Sequence, residues 1–366
     1  MTSLSARAAA LCERFRMQVP ILLAPMAGAS APSLSIAVAE AGGLGACGAL
    51  LMSPAEIAAW VAEVRARTSG AFQLNLWIPD PPPVRDANRE DAVRGFLSAW
   101  GPPVPSDAGN ATPPDFASQC AAILAARPAI ASSVMGLFPP VFVAQLRRMG
   151  IAWFATVTTV AEARLAEAAG ADVIVAQGME AGGHRGCFDA RHAETRQVGL
   201  FALLPAVVDA VPLPVVATGG IADPRGVAAA LLLGASAVQI GTALLRCPEA
   251  GIHPAWANAL AVTQPEDTVI SRVFSGRAGR SIASDYVRAA TDVAAPAPAP
   301  YPVQRGLTAV MRASALKIGD VQRMQAWAGQ SAALARAASA SSVVRSLWDG
   351  ATRLLGMDYR PARIGA

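Results

Sequence analysis

The sequence predicts an α/β fold: a (β/α)8 TIM barrel with an excursion after its third strand and a C-terminal helical appendage. Three observations predict it. Short apolar runs alternate with helical periods eight times along the chain, whereas an open doubly wound sheet would normally stop at about six strands. Most of the runs are near-continuous rather than alternating, as expected of parallel strands covered on both faces. Glycines and isolated polar residues gather just past the ends of the runs, where a parallel barrel carries its chemistry.

The first strand is Pro20 to Met26, ending in Ala27-Gly28, and an apolar helix from Ser33 to Ala41 follows, closed by Gly42-Gly43. Leu44 to Gly48 is the second strand. Ser53-Pro54-Ala55-Glu56 then supplies an N-cap, a proline at N1 and a capping-box glutamate for a helix to about Arg67. Phe72 to Ile78, alternating around Asn75, is the third strand. Residues 79–115 are dense in Pro, Asp, Gly and Asn and leave the core, because prolines at that density cannot sit in interior strands or helices.

Helix Phe116 to Ala126, strand Ala129 to Met135, helix Pro139 to Met149, strand Ile151 to Thr156 and helix Thr159 to Ala169 resume the alternation. The sixth strand, Asp172 to Ala176, breaks at Gln177 into a glycine-rich loop that runs to Gly186. Helix Val198 to Val211, strand Leu213 to Ala217, a helix capped by Asp223 and ending near Leu233, and strand Ala237 to Ile240 complete the eight. The barrel therefore spans residues 15–250. Over 251–366 the periodicity is helical only, interrupted by the stiff stretch Ala294 to Pro302, with helices expected from about 306 to 358. This segment is expected to pack on the barrel and add to its substrate pocket. Ser331 to Ser342 reads either as close helix packing or as low-complexity filler.

Composition excludes several classes. The chain is 53% hydrophobic but has no uninterrupted apolar stretch of about 18 residues, so a membrane span is not expected and the protein reads as soluble. Met1 to Gln18 lacks the apolar segment and small-residue cleavage site of a secretory signal, which points to the cytoplasm. Five cysteines, odd in number and without a CxxC, suggest reduced, mostly buried thiols rather than a disulfide framework or a metal site. Net charge is +4, with one lysine, Lys317, and scattered arginines, so no nucleic-acid face is expected. Oligomeric state is not readable.

The loops after the seventh and eighth strands, Thr218-Gly219-Gly220-Ile221-Ala222-Asp223 and Gln239-Ile240-Gly241-Thr242, converge in this fold. Each offers glycine for close approach and a threonine hydroxyl, which suits a phosphate site; simple turns are the alternative for either loop alone. No Gly-x-x-x-x-Gly-Lys-Ser/Thr run is present, and Gly42 to Gly48 precedes a strand where a dinucleotide fingerprint should follow one. His184, flanked by Gly182-Gly183 and Arg185 at the mouth of the sixth strand, is the candidate general base. His192 reads as a solvated loop residue and His253 has no clear partner. The amides of Asn75 and Gln177 need partners, supplied either by a flat heteroaromatic ring or by the barrel backbone. Glu180 reads as a loop organiser.

Ala24-Pro25-Met26-Ala27-Gly28, Gln73-Leu74-Asn75-Leu76-Trp77, Ala176 to Gly186, Ala217-Thr218-Gly219-Gly220-Ile221 and Gln239-Ile240-Gly241-Thr242 together resemble the nitronate monooxygenases, once called 2-nitropropane dioxygenases. The likeness runs from about residue 17 through Ser275-Gly276-Arg277 to Trp327-Ala328-Gly329-Gln330. It implies a barrel holding FMN without covalent attachment, with Met26, Asn75, Gln177, Gly182, Thr218, Gly219, Gly220, Gln239, Ile240, Gly241 and Thr242 at cofactor positions and no metal. It implies His184 as catalytic base, a small nitronate or nitroalkane and O2 as substrates, and a carbonyl compound and nitrite as products after one-electron transfer to the flavin. Met135, Tyr301 and Arg305 fall in the substrate pocket, where Met135 makes an apolar wall and Arg305 either favours an anion or is simply exposed. Three rivals share the barrel: an FMN- and NAD(P)H-dependent enoyl-acyl-carrier-protein reductase, an NADH:quinone reductase, and a flavin-binding module without turnover. The reductase usually has a glutamate where this chain has Gln177.

Overall fold

The computed structural model describes residues 4–357; residues 358–366, the end of the segment expected over 251–366, lie outside the described residues. The strands in chain order are β1 (Ile21–Leu23), β2 (Gly45–Gly48), β3 (Phe72–Trp77), β4 (Ile130–Val134), β5 (Ala152–Val157), β6 (Val173–Gln177), β7 (Gly183–His184), β8 (Val215–Thr218), β9 (Ala237–Ile240), β10 (Thr268–Ser271) and β11 (Gly279–Ile282). Eight of them form one parallel sheet in the order β1-β9-β8-β6-β5-β4-β3-β2. A parallel bridge between Leu22 and Leu44 joins its two ends, so the sheet is the barrel the eightfold alternation predicts.

Side-chain alternation sorts each strand into two environments. Leu74, Leu76, Trp153, Ala155, Ile174, Ala176, Val215, Ala217, Val238 and Ile240 point outward into the layer shared with the surrounding helices. The inward set is apolar at the amino end, where Leu22, Leu44, Phe154, Val173, Val175 and Val216 meet. Toward the carboxyl end it turns polar: Asn75, Ser132, Thr156, Gln177, Thr218 and Gln239 are all buried. The apolar end is closed by helix Leu4–Phe15, which places Leu11, Cys12 and Phe15 against that inner cluster, with the Phe15 and Phe154 rings edge to face at 5.2 Å. The barrel therefore has a dry floor and a polar mouth.

Helix starts follow their sequence signals. Ser53 and Glu56 form the capping box, and the Asp223 carboxylate accepts from Gly226 N–H. His253, without a partner in the sequence reading, caps helix Pro254–Leu260 by accepting from Ala255 N–H through Nδ1 at 3.1 Å.

One expectation is corrected. The region beyond 250 is not helical only: β10, β11 and the two-residue β7 from the barrel loop form a three-stranded antiparallel sheet. Four-residue strands this short carry no period to read, and the pairing of β11 with β7 joins Gly279 to His184, far apart in the chain. The 79–115 excursion does contain a helix, Ala87–Leu97, started by Asp86 accepting from Arg89 N–H. Its Val93 and Leu97 pack with Phe274, Tyr286, Val303 and Leu307 in a second small core, so the excursion and the C-terminal segment are built on each other. Helix Ala340–Leu354 instead lies on the barrel's outer helices, where Ser341 Oγ donates to Ala37 C=O at 2.9 Å. Among the described residues no helix is long and apolar enough to cross a membrane. All five cysteines are free and buried.

Phe15→Ala should open the barrel floor and lower stability by about 3 to 5 kcal/mol, the usual cost of truncating a buried phenylalanine. Urea denaturation checks this; an unchanged midpoint would show that the helix does not plug the barrel.

Candidate active site

Strand β6 delivers Gln177 to the barrel mouth, and the loop after it returns to the same side chain. Gln177 Oε1 accepts from Gly186 N–H at 2.8 Å, and its Nε2 donates to His184 C=O at 3.2 Å. The buried Arg185 adds a second tie, donating from Nη1 to Gly178 C=O at 2.6 Å. Glu180 does not face substrate: both carboxylate oxygens accept from Leu200 N–H, at 2.9 and 3.0 Å, and anchor the start of helix Leu200–Ala210. It is the loop organiser the sequence suggests.

His184 lies in β7 opposite Gly279 of β11. That pairing brings in the C-terminal segment. Ser275, just before β11, places Oγ 2.7 Å from His184 Nε2, and Ser275 Oγ is also within hydrogen-bond reach of Arg277 C=O at 3.2 Å. Trp327, bridged to Ser281 of β11, sets its ring edge to face with His184 at 4.7 Å, and Trp77 at the end of β3 does the same from the other side at 4.6 Å. Burial, then the nearby Arg277 and Arg305 cations, push the His184 pKa down to about 3, so the imidazole is neutral at neutral pH. Nδ1 makes no hydrogen bond among the described residues.

His184 lines a cavity of about 300 Å³ together with Met26, Asn75, Met135, Gln177, Gly182, Thr218, Gly219, Gly220, Gln239, Gly241, Thr242 and Arg305. The structure thus brings most of the predicted residues into one chamber. Two lie elsewhere. Ile240 faces outward because it follows the inward-facing Gln239, and Tyr301 lines an adjoining compartment behind Trp77. Residues that sequence reasoning did not assign to the site are Trp77, Ser275, Trp327 and Arg312, whose pKa burial lowers to about 10. Another is Gln73, which donates to Gln239 Oε1 at 3.0 Å and Leu23 C=O at 3.2 Å below the cavity floor. Trp77, Ser275 and Trp327 stand in stretches that carry the family likeness, but no spacing relates residue 275 or 327 to residue 184.

The amides of Asn75 and Gln177 already have protein partners. Asn75 Nδ2 donates to Ser132 C=O and Oγ at 3.2 and 3.1 Å, so barrel groups serve where a flat ring was one alternative. The rim after β8 and β9 is different. Gly219, Gly220, Gly241 and Thr242 use their N–H groups in no hydrogen bond among the described residues. Thr242 Oγ1 accepts from Gly329 N–H at 3.0 Å and keeps its own proton free, whereas Thr218 Oγ1 spends its proton on Gln239 C=O at 2.9 Å. Four unpaired N–H groups and one hydroxyl proton suit a phosphate group. Gly182 is confined as well: a Cβ there would lie 2.5 Å from Gly329 N. The residues present fit a phosphate-bearing cofactor at this rim.

Residues 9–350 match the protein family described as nitronate monooxygenase. A nitronate monooxygenase of Paraburkholderia phytofirmans is 39% identical over 339 residues, covering 90% of this chain and 91% of that one. Among solved structures, a nitroalkane oxidase from Streptomyces ansochromogenes superposes with a TM-score of 0.86 at 36% identity, covering 95% of this chain and 99% of that one. FabK from Thermotoga maritima does so with a TM-score of 0.73 at 26% identity, covering 95% and 97%.

Gln177→Leu keeps the volume but leaves Gly186 N–H and His184 C=O without their partner, which should cost about 1 to 3 kcal/mol for each group kept from water. Backbone amide hydrogen exchange at Gly186 reads this out directly. Unchanged protection would show that the loop holds itself without Gln177.

Proposed function

The chain belongs to the nitronate monooxygenase family, and from that premise we propose that it uses FMN to oxidise alkyl nitronates, or nitroalkanes once His184 has taken their α-proton. The family comprises flavin-dependent oxidoreductases that act on small nitronates with O2. The products here would be a carbonyl compound and nitrite. One observation carries the reading. A neutral imidazole, held at Nε2 by Ser275 and between two indoles, faces a cavity whose rim offers unpaired N–H groups.

The N–H groups of Gly219, Gly220, Gly241 and Thr242 would hold the FMN phosphate, with Met26, Asn75, Gln177 and Gly182 beside the ring and Thr218, Gln239 and the Ile240 backbone supporting the two loops. Bound FMN would supply the electron acceptor, by one-electron transfer and with O2 as final oxidant. The protein's own work is positional. Ser275 fixes the ring by accepting from Nε2–H while giving its proton to Arg277 C=O, which leaves the Nδ1 lone pair for the substrate's α-proton. Trp77 and Trp327 hold the ring plane, and Met135, in left-handed conformation at φ 69°, presents an apolar wall. Arg305 lines the chamber, whereas Tyr301 stands behind Trp77 in the adjoining compartment. The enoyl-acyl-carrier-protein reductase alternative is compatible with the FabK likeness. Anaerobic mixing separates the two, because rapid bleaching of the flavin by NADH would favour the reductase.

His184→Asn should lower oxidation of a neutral nitroalkane by about 10² to 10⁴-fold while sparing a preformed nitronate, which has no proton to lose. Equal losses with both substrates would remove the base assignment. The pH dependence has a definite sign. The folded-state pKa of His184 lies below its ordinary value of 6.5, so unfolding takes up a proton between the two. Stability is undiminished above pH 6.5 and falls as pH drops from 6.5 toward 3. In His184→Asn the unfolding midpoint should be flatter across that window, as thermal denaturation at stepped pH would show.

A further inference from the structure

Behind Trp77 lies a second compartment, about 510 Å³, roofed by Pro79 to Pro83 and by residues 109–116 of the excursion. Its walls are largely apolar, with Leu50, Ile78, Phe116 and Val303 among them. Two polar groups in it are left without partners among the described residues. Arg277 is 3% exposed, yet its Nη2 makes no hydrogen bond, and the buried Tyr301 hydroxyl makes none either. Among the described residues the only ion pair of Arg277 is a loose one, Nε to an Asp80 carboxylate oxygen at 3.5 Å. Arg85, the other cation of the compartment, is already committed to Glu90 and Asn110. Close approach of Gly276 to the Tyr301 backbone, where an added Cβ would lie 2.4 Å from Tyr301 N, sets Arg277 beside Tyr301.

A buried guanidinium with spare donors and a phenol donor, at the end of an apolar compartment, match a ligand with acceptor oxygens at one end and an apolar body. We propose that this compartment binds a short- to medium-chain monocarboxylate, its carboxylate on Arg277 and the Tyr301 hydroxyl and its chain along the proline roof. Asp80 competes for the same guanidinium. The site is separate from the chamber of His184 and shares with it the Trp77 and Leu50 walls. The proposal does not depend on nitronate turnover and is tested by binding alone.

Isothermal calorimetry on the flavin-loaded protein, titrated with butanoate, pentanoate, hexanoate and hexan-1-ol, is the test. Affinity should rise about fourfold per methylene, the equivalent of roughly 0.8 kcal/mol for each CH2 buried. Hexan-1-ol should bind at least about tenfold more weakly than hexanoate, lacking the charge-assisted bonds. Arg277→Gln should weaken hexanoate by about ten- to a hundredfold, and Tyr301→Phe by a few-fold. Asp80→Asn should tighten it, a result that damage to the fold would not produce. Should Arg277→Gln fail to fold, the opposite effects of Asp80→Asn and Tyr301→Phe decide the matter. No saturable heat with hexanoate, equal binding of the alcohol, or weaker binding in Asp80→Asn would overturn the proposal. So would a loss that follows Arg305→Gln while Arg277→Gln binds normally, since that places the acid in the reaction chamber.

Discussion

One side-chain amide governs the geometry of the site. Gln177 ends a buried strand, where its amide would cost about 1 to 3 kcal/mol if left unpaired, and the partners it finds are the far end of its own loop. That closure fixes the position of the His184 backbone. It also leaves His184 free to pair in β7, because the Gln177 bond uses the carbonyl on the side away from β11. The antiparallel register with Gly279 then determines which C-terminal residues can reach the imidazole. Ser275 and Trp327 arrive by that register, so the C-terminal segment completes a site that the barrel alone leaves open.

Much of the barrel is legible in the sequence because its elements are local. Ser53 with Glu56, Asp223 and the apolar strand runs announce themselves within a few residues of the structure they make. Inward and outward parity is legible too, once one polar residue per strand is seen to fall on the same face as its neighbours: Asn75, Gln177 and Gln239 mark the inner face of β3, β6 and β9. The same parity explains why Ile240 leaves the cavity although it sits between two residues that line it.

What the sequence hides is non-local. Residues 4–15 carry no signal that assigns them a place, and only the open amino end of a barrel gives their apolar stripe somewhere to go. The β7, β10 and β11 strands are too short to show a period, and β7 pairs with β11 across a long stretch of chain. Trp77 continues the inward parity of β3 at its last residue, which could have marked it as a wall of the mouth. Ser275 and Trp327 offer no comparable signal, because their partner is defined by sheet register and not by spacing.

The charges around His184 bear on which substrate the chamber suits. Arg277 and Arg305 disfavour the imidazolium, and Arg305 and Arg312 line a cavity in whose walls, among the described residues, no acidic side chain stands. Deprotonating a neutral nitroalkane creates two charges at once, an imidazolium that these cations penalise and a nitronate that they favour. Those effects oppose each other during proton transfer. A preformed nitronate would meet only the favourable half: it would enter as an anion, leave His184 neutral and lie against guanidinium groups already stripped of much of their water. On electrostatic grounds the chamber is therefore better matched to the anion than to its conjugate carbon acid. On the proposed function, His184 would then serve the anion mainly as a neutral wall and would act as a base only when the acid form arrives.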